Sequence, residues 1–118
     1  MKAAKQDYVK PANVSGTEIQ LLQHLKNRID SAPGSVPNAF TLAGEYGFSV
    51  SRLTRLFKKL YGSSLHAYVI ESRLSEAARL IKERNLSLCE IAEHAGYAKP
   101  SQFSAAFKKH FGILPSDF

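Results

Sequence analysis

Residues 91–112 read IAEHAGYAKPSQFSAAFKKHFG, and residues 42–62 read LAGEYGFSVSRLTRLFKKLYG. The two stretches are one pattern written twice. Ala43 and Gly47 match Ala92 and Gly96 at an offset of 49, while Ser51, Phe57, Lys58, Lys59 and Gly62 match Ser101, Phe107, Lys108, Lys109 and Gly112 at an offset of 50. The second copy therefore carries one extra residue in its turn. In each copy a short apolar segment leads into Gly-aromatic, then into a longer segment ending in Phe-Lys-Lys. Glycine there tolerates the left-handed backbone that a tight turn between helices needs. This layout is a helix-turn-helix, whose second helix is shaped to enter a DNA major groove. Two of them in one chain predict two readers on consecutive turns of one duplex.

Working outward, Ser15 and Glu18 form a capping-box pattern ahead of apolar residues at Ile19, Leu22, Leu25 and Ile29. That spacing predicts a helix over residues 17–30 with one apolar stripe. SAPGSVPN at 31–38 is a loop, and Asn38 is placed to cap a short helix over 39–46. Ser49 or Val50 opens the next helix, which runs to about Tyr61. Its inner face is Leu53, Leu56, Phe57 and Leu60; its outer face is Ser51, Arg52, Thr54, Arg55, Lys58 and Lys59. Gly62-Ser63-Ser64 breaks the chain. A long helix over 65–84 follows, with Tyr68, Val69, Leu74, Ala77, Ala78 and Ile81 on its buried side. Some 18–20 residues span about 27–30 Å, close to the roughly 34 Å between successive major-groove faces, so this helix reads as a spacer between two readers. Ser87 with Glu90 repeats the capping box before a short helix over 88–95, and Pro100 suits the first turn of a last helix whose buried stripe is Phe103, Phe107 and Phe111. Residues 1–14 are polar and basic without helical period and read as a linker or tail. The fold class is all-α.

Composition agrees. A chain of 118 residues with 44% apolar and 22% charged residues is globular, and its length suits one domain or two very small subdomains sharing a core. Its net charge of +6 favours a polyanionic partner but does not separate nucleic acid from a membrane surface or an acidic protein. Placement is more telling. Residues 51–59 hold Arg52, Arg55, Lys58 and Lys59, residues 99–110 hold Lys99, Lys108 and Lys109, and neither stretch holds an acid, so the rest of the chain sums to −1. The excess charge lies on the second helix of each copy, where a DNA reader needs it.

Other classes find little support. The single cysteine, Cys89, excludes an internal disulfide, fits a reducing cytoplasm and is expected as a small core residue. His24, His66, His94 and His110 are scattered, Cys89 and His94 are five apart, and no Gly-rich loop precedes Lys-Ser/Thr, so neither a metal site nor a catalytic constellation is expected and no cofactor is implied. No apolar run approaches a membrane span. A non-specific architectural DNA binder and a protein-interaction module remain open beside the sequence-reading interpretation.

Residues 17–118 resemble the C-terminal DNA-binding domain of the AraC/XylS family of bacterial transcription regulators. The resemblance rests on LAGEYGFSVSRLTRLFKKLYG, on YVIESRLSEAARLI and on LSLCEIAEHAGYAKPSQFSAAFKKHFGILPSDF. It implies seven helices: two helix-turn-helix subdomains, at about 39–61 and 88–111, joined by a linker helix at about 65–84. It also implies base and phosphate contacts from Ser51, Arg52, Thr54 and Arg55, with Lys58 and Lys59 nearby. The second copy departs from the family pattern. Ala105 stands where an arginine is frequent, and Lys99 where an acid is more frequent. Ala105 offers a methyl group, for example to thymine, and Gln102 can pair with adenine or a phosphate. The first motif is therefore expected to carry most of the specificity, with Lys99, Ser101, Lys108 and Lys109 anchoring the second to the backbone. Asn38 and Ser87 begin the first helix of each motif, where free N–H groups suit a DNA phosphate, although each also has work as a cap. Arg73 is expected to be structural, and Phe57, Tyr97, Phe103 and Phe107 to be core. The expected partners are double-stranded DNA, RNA polymerase as an added contact, and an N-terminal effector or dimerisation domain outside this chain, with the cytoplasmic nucleoid as the setting. The chain reads as an excised domain or as one of the family's single-domain members, and the linker-like residues 1–14 favour the first.

Overall fold

The structure is a computed structural model that describes residues 14–118. Six α-helices follow in order: α1 (Gly16–Ser31), α2 (Ala39–Tyr46), α3 (Val50–Tyr61), α4 (Leu65–Glu83), α5 (Leu88–His94) and α6 (Pro100–Phe111). Single 3-10 turns stand at Pro33–Ser35 and Pro115–Asp117, and the described residues contain no strand. Where the resemblance implies seven helices, the described residues hold six α-helices. The turn opened by Pro115 takes the place after α6, and its closing bond, from the Phe118 N–H to the Pro115 carbonyl at 3.3 Å, is of the tighter 3-10 type.

The helix starts are where the polar residues place them. Ser15 and Glu18 close a reciprocal capping box on α1, and Ser87 and Glu90 close another on α5. Asn38, Ser49 and Ser64 accept from the N–H groups of Thr41, Arg52 and Ala67 at 2.9–3.1 Å. Each such cap satisfies a donor the helix cannot, and contributes about 1 kcal/mol. α2 ends on Gly47 at φ 78°, and the Phe48 N–H then returns to the Ala43 carbonyl. In the second motif Gly96 at φ 90° does the same work, with the Tyr97 N–H returning to the Ala92 carbonyl. Three residues, Tyr97 to Lys99, then precede α6, where two, Phe48 and Ser49, precede α3. That is where the extra residue sits.

Two cores share one helix. The first gathers Leu22, Leu25 and Ile29 of α1, Leu42 and Ala43 of α2, Leu53, Leu56 and Phe57 of α3, and Leu65 at the start of α4. The second gathers Leu74, Ala77 and Leu80 from the later half of α4 with Ile91, Ala92, Ala95, Phe103 and Phe107. Of the residues expected on the buried side of α4, Leu74 and Ala77 are buried, while Tyr68, Val69, Ala78 and Ile81 are half-buried. Leu60 is likewise half-buried.

Two expectations are corrected. Val14, read as part of a tail, is 1% exposed and belongs to the first core; residues 1–13 of that tail lie outside the described residues. Cys89, read as core, is exposed. The buried face of α5 is Ile91, Ala92 and Ala95. Cys89 sits two residues before Ile91, about 200° around a helix of 3.6 residues per turn, and so on the opposite side.

Arg73 of α4 is structural, as expected. Its Nε donates to the Pro33 carbonyl at 3.0 Å and its Nη2 to the Val36 carbonyl at 3.1 Å. This pins the loop between α1 and α2 onto the linker helix. The same loop touches the second motif: a Cβ on Gly34 would lie 2.0 Å from the His94 carbonyl oxygen, and one on Gly96 would lie 2.7 Å from the Gly34 oxygen. The two motifs are thus joined by backbone contact as well as by α4.

Candidate nucleic-acid interface

α3 is anchored from below by Leu53, Leu56 and Phe57, all buried. With those residues inward, helical geometry turns Ser51, Arg55, Lys58 and Lys59 to solvent, and all four are exposed. Thr54 is half-buried. Its hydroxyl donates back to the Val50 carbonyl at 3.0 Å, with the Ser51 carbonyl at 3.2 Å, so the proton is committed to the helix and the oxygen lone pairs remain as acceptors. The Arg55 guanidinium makes a long contact, 3.4 Å from Nη1 to the Ser51 hydroxyl. Neither α3 nor α6 contains an Asp or Glu.

Arg52 departs from the expectation of an outward base reader. It lies against α1, donating from Nε to Glu18 Oε2 at 3.0 Å and from Nη2 to Glu18 Oε1 at 2.9 Å. This is the fork geometry that guanidinium and carboxylate favour. The Arg52 hydrogen bonds and the Ser15 N–H hold the Glu18 carboxyl below the ordinary carboxylate range, and Glu18 in turn raises Arg52. The partners are 34 residues apart, and no local pattern signals the pairing.

On α6, Phe103 and Phe107 are buried; Phe103 packs on Phe107 at a ring distance of 5.7 Å, and Phe107 on Phe111 and Phe118 at 4.5 and 5.2 Å. Ser101, Gln102, Ala105, Lys108 and Lys109 are all exposed, as expected. Lys99 is the N-cap residue, also exposed, and its side chain makes no capping bond. Lys109 and His110 border a groove against His66, Ile70 and Leu74 of α4. Both Phe-Lys-Lys ends fall in a last helical turn, where the macrodipole favours cations. Asn38 and Ser87 are exposed at helix starts, with their side-chain oxygens used as caps.

α1 braces the first motif from behind. Besides Glu18–Arg52, Arg28 pairs with Glu45 of α2 at 2.7 Å, and His24 Nδ1 and Tyr46 Oη hydrogen-bond at 2.8 Å. Among the described residues, no three His, Cys, Asp or Glu side chains gather as a metal site, and no helix is long and apolar enough to cross a membrane.

Known proteins share this arrangement. A family model for the helix-turn-helix domain matches residues 42–118. Transcription factor PqrA of Proteus vulgaris is 38% identical over 78 residues, covering 66% of this chain and 64% of that protein. The C-terminal domain of the response regulator yesN from Fusobacterium nucleatum superposes with a TM-score of 0.74 at 27% identity, covering 84% of this chain and 94% of that one. The DNA-binding domain of AdpA, solved in complex with a target DNA, shares the fold with a TM-score of 0.75 at 24% identity, covering 81% and 86%. The chain spans 64% of PqrA and between 26% and 36% of the longer regulators it matches. A match that runs from the first motif to the last residue, on a fold that hangs both motifs from one helix, settles the family: the chain belongs to the AraC/XylS transcription regulators, as their helix-turn-helix DNA-binding domain.

Proposed function

We propose that this domain recognises specific double-stranded DNA sequences to regulate transcription, laying α3 and α6 into two successive major-groove segments on one side of the duplex. One observation carries the reading. The 19 residues of α4 hold one motif's core on their first half and the other's on their second. At about 28 Å that helix approaches the roughly 34 Å repeat of the major groove. AdpA, whose DNA-binding domain has the same fold, is a transcription factor solved on its target DNA, which supports the same use of the fold.

In this reading Arg55 is the foremost base reader, because a guanidinium can take both acceptors of a guanine. Ser51 and Thr54 flank it, and Lys58 and Lys59 serve phosphates. Arg52, paired with Glu18, drops out of the reading set. On α6, Gln102 supplies one polar contact and Ala105 one methyl, so specificity rests mainly on the first motif. Lys99, Ser101, Lys108 and Lys109 anchor the second. The N–H groups that Asn38 and Ser87 leave uncapped in the first turns of α2 and α5 are free to receive phosphates. An N-terminal sensing or dimerising domain outside this chain would control when the reader engages. Contact of the bound domain with RNA polymerase would turn occupancy into altered transcription.

Selection of binding sites from random duplexes, followed by titration against scrambled DNA at about 150 mM salt, tests the proposal. Two informative blocks about one helical turn apart support it, and one block dominating the other supports the stronger first motif. No enrichment over scrambled DNA overturns it in favour of a charge-driven, non-specific binder.

A further inference from the structure

The duplication supplies an internal control. Arg52 and Gln102 occupy the same place in the two copies, at the offset of 50 that relates Ser51 to Ser101. Gln102 is exposed, whereas Arg52 is half-buried. The position therefore faces outward unless something draws it back, and in the first motif Glu18 pairs with it. The carboxylate does not move to meet the arginine. Its Oε1 also accepts the Ser15 N–H at 3.1 Å, closing the α1 capping box, and α1 is fixed in the core by Leu22, Leu25 and Ile29. Arg52 is the recruited partner. It neighbours Ser51 and precedes Arg55 by three residues on a helix with no acid of its own. Released from Glu18, Arg52 would meet the field of the DNA phosphates.

We infer that Glu18 sets how tightly the domain holds any duplex: it latches Arg52 away from the DNA and so denies α3 a sequence-indifferent phosphate contact. The inference rests on the proposal that α3 faces DNA. Phosphate contacts strengthen binding to every sequence alike, whereas base contacts separate one sequence from another. Withholding one cation thus lowers affinity for target and scrambled DNA together and leaves their ratio unchanged.

The test is a double-variant cycle read by salt dependence. Glu18→Gln keeps an amide oxygen for the Ser15 N–H and removes the charge that pairs with Arg52. It should bind selected and scrambled duplex more tightly by the same factor and steepen the slope of log K against log salt by about 0.9. In the Glu18→Gln/Arg52→Gln variant those gains should vanish. An unchanged slope in Glu18→Gln, or a gain that survives removal of Arg52, overturns the latch. Arg52→Gln alone gives a second reading independent of how Glu18→Gln folds. A latched Arg52 leaves the slope as in the unaltered protein, and a slope shallower by about 0.9 shows that Arg52 already sits on phosphate. If the unaltered protein shifts neither selected nor scrambled duplex, the DNA reading itself fails, a result distinct from failure of the latch.

Discussion

Arg52 and Arg55 are the same residue type, one turn apart on one helix, with different fates. Arg55 is exposed, and its 3.4 Å contact with Ser51 leaves its donors available to a base edge. Arg55→Ala should weaken binding to the selected site by about 1–3 kcal/mol and relax sequence choice under one part of the first block, measured by competition titration against single-base variants of the site. A uniform loss across all variants would assign Arg55 to phosphate instead. Arg52 is tied to Glu18, and the tie has a pH signature. The folded carboxyl of Glu18 holds its proton less tightly than the unfolded one, whose ordinary value is 4.5. The unfolded chain therefore binds more protons in acid, and the pair's contribution is present above that value and lost as pH falls through the lower folded one. Glu76, lowered mainly by its hydrogen bonds from Arg79, acts in the same direction. Urea midpoints compared at about pH 6 and about pH 3 should fall further for the unaltered protein than for Glu18→Gln, and equal falls would remove Glu18 from the acid sensitivity. The basic face of α3 was legible in the sequence. Which arginine remains on it was not, because the deciding partner lies 34 residues upstream.

At the scale of the element, the sequence is a good guide wherever the signal is local. Capping residues, apolar stripes and glycines at the turns place α1 to α6 within a residue or two of their observed ends. Local signals fail where a helix is short or its end unusual. α5 has seven residues, too few for its period to show that Cys89 faces outward. α4 ends without the glycine that closes α2, α3 and α6: its C-cap is Arg84, the only non-glycine residue at positive φ among those described, at 59°. A side chain in that conformation costs about 1–2 kcal/mol, while glycine costs about 0.4–1 kcal/mol in added freedom of the unfolded chain. Arg84→Gly should therefore stabilise the domain by up to about 1 kcal/mol, seen as a higher urea midpoint with unchanged m-value. A loss of stability would mean that the Arg84 side chain contributes contacts outweighing the backbone strain.

Across the whole molecule the question is what fixes the distance and angle between two readers. α4 alone joins the cores covalently, but a helix shared by two cores can still let them rock. The loop at 31–38, readable from sequence only as a loop, supplies the second tie. Arg73 holds its carbonyls from one side, and Gly34 lies against the His94 and Gly96 backbone of the second motif. Neither glycine's contact leaves a sequence signature, because the partners are backbone atoms about 60 residues away. Alanine at 34 would place its Cβ 2.0 Å from the His94 oxygen, and backbone cannot yield as a flexible side chain does. Gly34→Ala should push the second motif away from the loop at a cost of about 1–3 kcal/mol of stability. It should also change the function in a way that simple destabilisation would not. In the unaltered domain, inserting one base pair between the two blocks of the selected site moves one groove face out of register, and affinity falls steeply. With the tie broken, the second motif has more freedom to follow, so the ratio of affinities for native and lengthened sites should shrink while binding to the first block alone is unchanged. If Gly34→Ala lowers Tm but leaves that ratio intact, the loop only stabilises the fold, and α4 by itself sets the spacing between the readers.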